Sequence, residues 1–276
     1  MNRRGLLLGA AGLLPGGAAL AQAPLPAGMP PAGAVRPSAA VLAQLAPSGA
    51  LRAGVNLGNF LLINGRTTAG EPSGVAPSLA QAMAERLGVP LRLVPYARPN
   101  EVAAAADSNA WDIALIGAEP QRADRIHFSA AYCEIEATYL VPAGSAMTSL
   151  EQVDRPGVRI GVSAGAAYAL WLERNIRQAT LVPVPGGGDA AFRRFVADRL
   201  EVFAGLRPGL LGDVEKLPGA SILPGRFMAV QQAIGTLKQH TAAQEFVATF
   251  VADAKRSGLV ARLIAQHQVR GLSVAA

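Results

Sequence analysis

Trp111-Asp112-Ile113-Ala114-Leu115-Ile116-Gly117-Ala118-Glu119-Pro120-Gln121-Arg122 is the most informative run in this chain. Its first half is nearly all apolar, the composition of a strand buried on both faces, as in a parallel sheet. The strand stops at Gly117, where the missing side chain lets a ligand approach the backbone. Five residues later comes Arg122, whose planar fork suits a carboxylate. Ligands in open α/β sheets sit at such strand ends. Spacing by itself fits equally well a loop arginine that pairs with Asp124 or faces solvent.

Outward from this run, strand and helix periods alternate. Residues 51–57 read as a short buried strand, and 76–87 place Leu79, Met83, Ala84 and Leu87 at helical spacing before Gly88 stops the helix. A strand over 89–95 and an alanine-rich helix over 100–106 lead into the 111–116 strand. That β-α-β-α-β order predicts a parallel sheet covered by helices. The chain then runs extended over 139–142 and breaks at Gly144-Ser145. From Val158 the pattern restarts, with strands over 158–162, 180–184 and 201–205 alternating with helices through Arg174 and over 189–199. Residues 228–230 are extended, and amphipathic helices near 241–258 and 259–268 return to cover the first lobe. The expected architecture is a two-lobed α/β fold, each lobe a mainly parallel sheet flanked by helices. Lobe 1 takes 48–142 plus 227–276 and lobe 2 takes 143–226, with crossings near 141–145 and 224–228.

The first 23 residues have the build of a secretory signal: Arg3 and Arg4, an apolar stretch to Leu14, and small residues at Ala19-Leu20-Ala21, with cleavage expected after Ala21. The apolar stretch falls well short of the roughly 20 residues of a membrane span. The paired arginines resemble a twin-arginine signal of degenerate pattern, which leaves Sec and Tat export open. Residues 22–47, rich in Pro, Ala and Gly to Pro37, read as a flexible leader. About 240 residues remain, enough for two ordinary domains.

Removing Arg3 and Arg4 takes the formal charge from +6 to +4, and the other basic residues form no run, which speaks against nucleic acid as a partner. A single cysteine, Cys133, excludes an intrachain disulfide and a cysteine-rich metal site, and reads as a small buried hydrophobe. There is no phosphate-binding loop and no histidine pair at metal-ligand spacing; His127, His240 and His267 lie in separate segments. No cofactor, metal or catalytic residue is therefore expected.

The series Asp112, Arg122, Phe128-Ser129, Tyr132 and Leu140-Val141, preceded by Gly74, Leu79-Ala80, Ala84-Glu85 and Leu87-Gly88, resembles the family 3 extracellular solute-binding proteins of bacteria. The resemblance covers about 49–257. It implies the type II periplasmic-binding fold and a monomeric periplasmic protein that delivers a small carboxylate-bearing ligand, an amino acid or related organic acid, to an ABC permease in the inner membrane.

In that family the arginine before the Phe-Ser pair holds the ligand's α-carboxylate, which implies Arg122 here, beside Gly117. The end of the first strand implies Asn56, Asn59 and Phe60. The second lobe's small-residue turn implies Ser163, Gly165 and Ala166, with helix N-terminal amides binding the same carboxylate. Where the family usually carries an aspartate for the ligand's ammonium, this chain has Leu206. Either Glu119, Glu134 or Glu136 replaces it, or the ligand has no ammonium. Arg207 next door suits a second anionic group. Two alternatives stay open: a cyclohexadienyl-dehydratase-like enzyme on the same fold, with Glu119 as general acid, and a ligand-sensing module for a receptor.

Overall fold

A computed structural model describes residues 37–276. The signal reading and the leader up to residue 36 lie outside the described residues. Within the 22–47 stretch expected to be a flexible leader, α1 (Ala39–Leu45), capped by the Ser38 hydroxyl on the Val41 amide, is helical and buries Val41 and Leu45. Three leucines or valines at near-helical spacing (Val41, Leu42, Leu45) give it an apolar face, which packs on α8 (Thr241–Arg256) near the other end of the chain.

In lobe 1, β1 (Leu51–Asn56) leads through a small hairpin, β2 (Gly65–Arg66) and β3 (Pro72–Ser73), to α2 (Val75–Leu87). This helix ends as its sequence predicts, with Gly88 in the left-handed region at φ 73°. β4 (Leu91–Tyr96), α3 (Pro99–Ala104), β5 (Ile113–Gly117), α4 (Pro120–Ala123) and β6 (Ile126–Phe128) complete the first pass, and β7 (Cys133–Val141) leaves the lobe. Lobe 2 holds β8 (Arg159–Ser163), α5 (Ala167–Asn175), β9 (Thr180–Val184), α6 (Gly188–Ala197), β10 (Val202–Leu206), α7 (Arg207–Lys216) and β11 (Ser221–Ile222). β12 (Met228–Leu237) returns, and α8, α9 (Leu259–Gln266) and β13 (Ser273–Val274) follow. As expected, the two C-terminal helices pack with α2 in the first lobe's core.

The sheet order is β4-β1-β5-β12-β7-β10-β8-β9. β4, β1 and β5 are mutually parallel, as are β10, β8 and β9, and the antiparallel pair β7 and β12 joins the two sets. The hydrophobic cores divide partway along that shared pair. Cys133 and Ile135 of β7 belong to the first core, while Ala137, Tyr139 and Val141 belong to the second; on β12, Ile234 belongs to the first and Val230 to the second. Both strands are much longer than the short extended segments the sequence predicts, because each must serve two lobes.

Several motif residues hold this frame together. Asp112 is fully buried, takes the Arg52 backbone amide at 2.8 Å and pairs with the Arg52 guanidinium at 2.7 Å. Ser129 accepts from the Ile234 amide at 3.1 Å, tying the loop before Tyr132 to β12. Trp111 donates its indole N–H to the Val102 carbonyl at 2.9 Å. Cys133 is buried and free, its thiol pushed up by burial away from reactivity.

Candidate functional site

The carboxyl ends of all six parallel strands open on one cavity of about 690 Å³. Asn56 ends β1, Gly117 ends β5, Ser163 ends β8 and Leu206 ends β10, and each lines it. Ala97 and Arg98 after β4, and Gly186-Gly187-Gly188 after β9, line it as well. Lobe 2 turns the N-termini of α5, α6 and α7 toward the same space, through Ala166-Ala167, Gly188-Asp189 and Leu206, Pro208 and Gly209. Exposed N–H groups and the dipole make such helix ends favourable to negative charge.

Arg122 sits at the junction of the lobes, only 5% exposed. Pro120 starts α4 at a position where its missing N–H costs nothing, and that single turn aims Arg122 back at its own strand end. One guanidinium nitrogen donates to the Gly117 carbonyl at 2.6 Å, another to the Gly165 carbonyl of lobe 2 at 2.9 Å, and Nε has no partner. Asp124, the loop partner that spacing allowed, makes no bond to it. Burial lowers its pKa to about 10, partly offset by the charge of Glu119, so the group stays cationic at neutral pH. Gly117 must be glycine for this geometry: a Cβ there would lie 3.0 Å from the Ala167 Cβ and 3.4 Å from the Arg122 guanidinium.

The lobes are closed on each other around the cavity. Arg174 of α5 reaches across to Glu119 at 2.6 Å and to the Gln121 side chain, and Gln121 donates to the Leu170 carbonyl at 3.3 Å. Asn100 of lobe 1 packs on Gly165, and the Phe60 ring packs on Gly209 of α7. On the opposite side Gly271 packs on Pro208.

Of the residues named from sequence, Arg122, Asn56, Asn59, Phe60, Gly117, Ser163 and Ala166 line the cavity together. Gly165 stands behind the lining and offers Arg122 its carbonyl, not its N–H. Glu119 is also behind it, its side chain 3% exposed and committed to Arg174; burial pushes its carboxyl above the ordinary glutamate range while the bond to Arg174 opposes that. Arg207 points away. It opens α7, where successive residues diverge around the helix, and pairs with Glu136 at 2.8 Å in a separate cavity of about 110 Å³ shared with Glu134 and Arg226. Leu206 lines the main cavity and packs against both cores. Sequence reasoning missed Arg98, Asp189, Asp213, Lys216 and Gln232, which also line it. Arg98 is held by Glu101 at 2.6 Å, and Asp213, buried in α7, by Lys216 at 2.9 Å. No cluster of metal-ligating side chains and no helix long and apolar enough to cross a membrane occurs among the described residues.

The model of the bacterial extracellular solute-binding proteins, family 3, matches residues 59–269. The chain belongs to that family. This family 3 protein is 30% identical over 132 residues to the cyclohexadienyl dehydratase of Pseudomonas aeruginosa, a match that spans 46% of this chain and about half, 49%, of that relative. Among solved structures it superposes on a mutant of ArgBP from T. maritima with TM-score 0.66 at 18% identity, covering 83% of this chain and all of the other. It also superposes on a binding component of an ABC transporter from Wolinella succinogenes, complexed with lysine, with TM-score 0.67 at 19% identity, covering 81% and 97%. These likenesses establish the two-lobed type II periplasmic-binding fold for this solute-binding protein. They also reach proteins that bind and one that is an enzyme.

Proposed function

We propose that this protein captures a small carboxylate-bearing solute in the periplasm and presents the closed, loaded form to an ABC permease. The observation that carries the reading is Arg122. It is a buried cation lining the cavity, its Nε–H is unpaired, and no acidic side chain hydrogen-bonds it among the described residues. Burying a charge without a counter-ion is costly, and a ligand carboxylate supplies the missing one through a bidentate fork. The N-termini of α5, α6 and α7, with the amides of Asn56 and Asn59, add further donors on the cavity wall.

Lobe movement follows from the shared strands. We place the pivot where the cores change over, near Glu136 of β7 and Gln231 of β12, between residues of the first and second cores. Ligand that binds both lobes shifts the population toward the closed form, which is the signal a partner reads. One chain supplies both walls of the cavity, so the reading needs no second copy. Glu119 does not suit dehydratase chemistry, since its carboxylate is held by Arg174 behind the cavity wall.

The test is a thermal-shift screen of the protein against amino acids, small dicarboxylates and aromatic acids, because a ligand that binds only the folded state raises the melting temperature. A shift with carboxylates and none with the matching amides supports the reading. Equal shifts with both, or with amides alone, overturn it.

A further inference from the structure

Asn56 and Asn59 line the main cavity with their amides set one way round. The Asn56 Oδ1 accepts the Gly58 N–H at 3.0 Å, and the Asn59 Oδ1 accepts the Leu61 N–H at 3.2 Å. Turning either amide over would set its NH2 against a backbone N–H, so the oxygen is held on the loop side. The NH2 is the end left without a partner among the described residues. Asn59 is only 8% exposed, and an unpaired donor in such a place is costly.

The backbone around Arg122 is one-sided in the same sense. Arg122 itself occupies the Gly117 and Gly165 carbonyls at 2.6 and 2.9 Å. The Asn59 N–H takes the Asn56 carbonyl at 3.3 Å, and the Ala166 N–H takes the Ser163 carbonyl at 3.2 Å. These groups are neighbours: β1 and β5 run parallel with Val55 opposite Leu115, so Asn56 and Gly117 end adjacent strands spaced about 4.8 Å apart. Gln232 of β12 stands opposite Gly117 on the other side, 3% exposed and without a side-chain bond among the described residues. No carboxylate lines the lobe 1 wall among the described residues. An ammonium beside Arg122 carries three donors and would meet there a cation and two NH2 groups, whereas an oxygen would meet donors.

We propose that the ligand is an acid without an ammonium. Its carboxylate lies on Arg122, and a second oxygen acceptor, an oxo group or a further carboxylate, takes the NH2 groups of Asn56 and Asn59. The assignment rests on the Arg122 reading above and narrows it to oxo and dicarboxylic acids.

Isothermal titration of the full chain tests this with 2-oxo, dicarboxylic, 2-amino and plain monocarboxylic acids on matched carbon skeletons, aliphatic and aromatic. The oxo acid or the dicarboxylate is expected to bind at least roughly 10-fold tighter than the 2-amino acid or the plain acid of its skeleton. Which of the two binds tells the oxo group from the second carboxylate. Asn59→Asp keeps an oxygen for the Leu61 N–H and puts a second one where the NH2 stood. It is expected to weaken the preferred acid roughly 50-fold or more and to tighten the matched 2-amino acid, a reversal that a merely structural amide would not give. If Asn59→Asp does not fold, Asn56→Asp carries the same test. The proposal is overturned, with the Arg122 reading intact, if the wild type takes the 2-amino acid as tightly as its oxo or dicarboxylic partner. It is equally overturned if plain acids bind as tightly as those with a second oxygen, or if neither aspartate variant moves the preference. Binding of no carboxylate would remove both readings.

Discussion

Replacing Arg122 with Met separates ligand recognition from scaffold stability. In the complex the guanidinium would give a carboxylate two charge-assisted bonds. At about 1.5–3 kcal/mol each, their loss should weaken carboxylate binding by roughly 10²–10⁴-fold. The ligand-free protein should notice far less. Burial lowers the arginine from 12.5 to about 10, and at about 1.4 kcal/mol per pKa unit the native state bears ~3 kcal/mol to keep this cation inside. The variant relieves that cost but gives up the bonds to the Gly117 and Gly165 carbonyls, which to neutral acceptors are worth ~1.5 kcal/mol each. Methionine keeps most of the apolar stem, so no large cavity opens. The two effects nearly cancel, and the melting temperature should move by less than about 5 °C for a domain of this size. Titration calorimetry and thermal denaturation of the same preparations measure both quantities. A melting temperature lowered by more than about 10 °C would show the arginine to be a strut between lobes. Carboxylate affinity unchanged in a folded variant would refute the reasoning outright.

Other expectations follow from the same geometry. Arg174→Met leaves Glu119 buried and unpaired only while the lobes are closed; at about 1.5–3 kcal/mol for the lost bond, ligand affinity should fall roughly 10–100-fold, and X-ray scattering should show a larger radius of gyration without ligand. Leu45→Ala removes a fully buried side chain of α1, so it should cost about 2–5 kcal/mol and lower the melting temperature by roughly 5–15 °C, whereas a residue in a loose leader would cost nothing. His267, whose ring nitrogen lies 2.8 Å from the Ser78 hydroxyl, titrates below its ordinary 6.5 because burial disfavours its charged form. Its contribution is thus complete above that value and is lost as the pH falls through 6.5 toward the folded-state value. Urea midpoints should decline over that interval, and His267→Gln should flatten the decline.

The frame was legible because most of its elements carry their own periodicity. The strands at 51–57, 89–95, 111–116 and 180–184 were visible as short apolar runs bounded by Gly, Pro or polar residues, and the observed elements differ from them mainly at the ends. Helices α1, α4 and α7 escaped, α4 being a single turn too short to show a period. α1 follows a stretch of Pro, Ala and Gly whose composition hides the spacing of Val41 and Leu45. α7 contains Pro208, Gly209 and Gly212, which read as breakers, although a proline in the first turn is the normal way to begin a helix. Missing α7 had a chemical consequence, since the helix carries Asp213 and Lys216 into the cavity and sends Arg207 out of it. The spacing of Leu210 and Asp213, one turn apart, was the signal available. Charge pairing was not legible at all. That Asp112 belongs to Arg52 and Glu119 to Arg174 depends on partners 55 or more positions away in the sequence, brought together only by the sheet order.

Contacts between the lobes bear on how a ligand would draw them together. Arg122 spans the lobes by donating to the Gly165 carbonyl, so one of the bonds a ligand would take is already made inside the protein. A ligand therefore exchanges internal bonds for its own, and only the surplus drives closure. The clasp of Arg174 on Glu119 adds a further inter-lobe pair that opening would give up to water. The shift toward the closed arrangement then rests on the differential affinity of ligand for the two states. The Arg122 bond to Gly165 and the Arg174 clasp thus act on ligand affinity from opposite sides, the first as a bond to be exchanged and the second as one that favours closure, and the Arg122 and Arg174 variants separate the two.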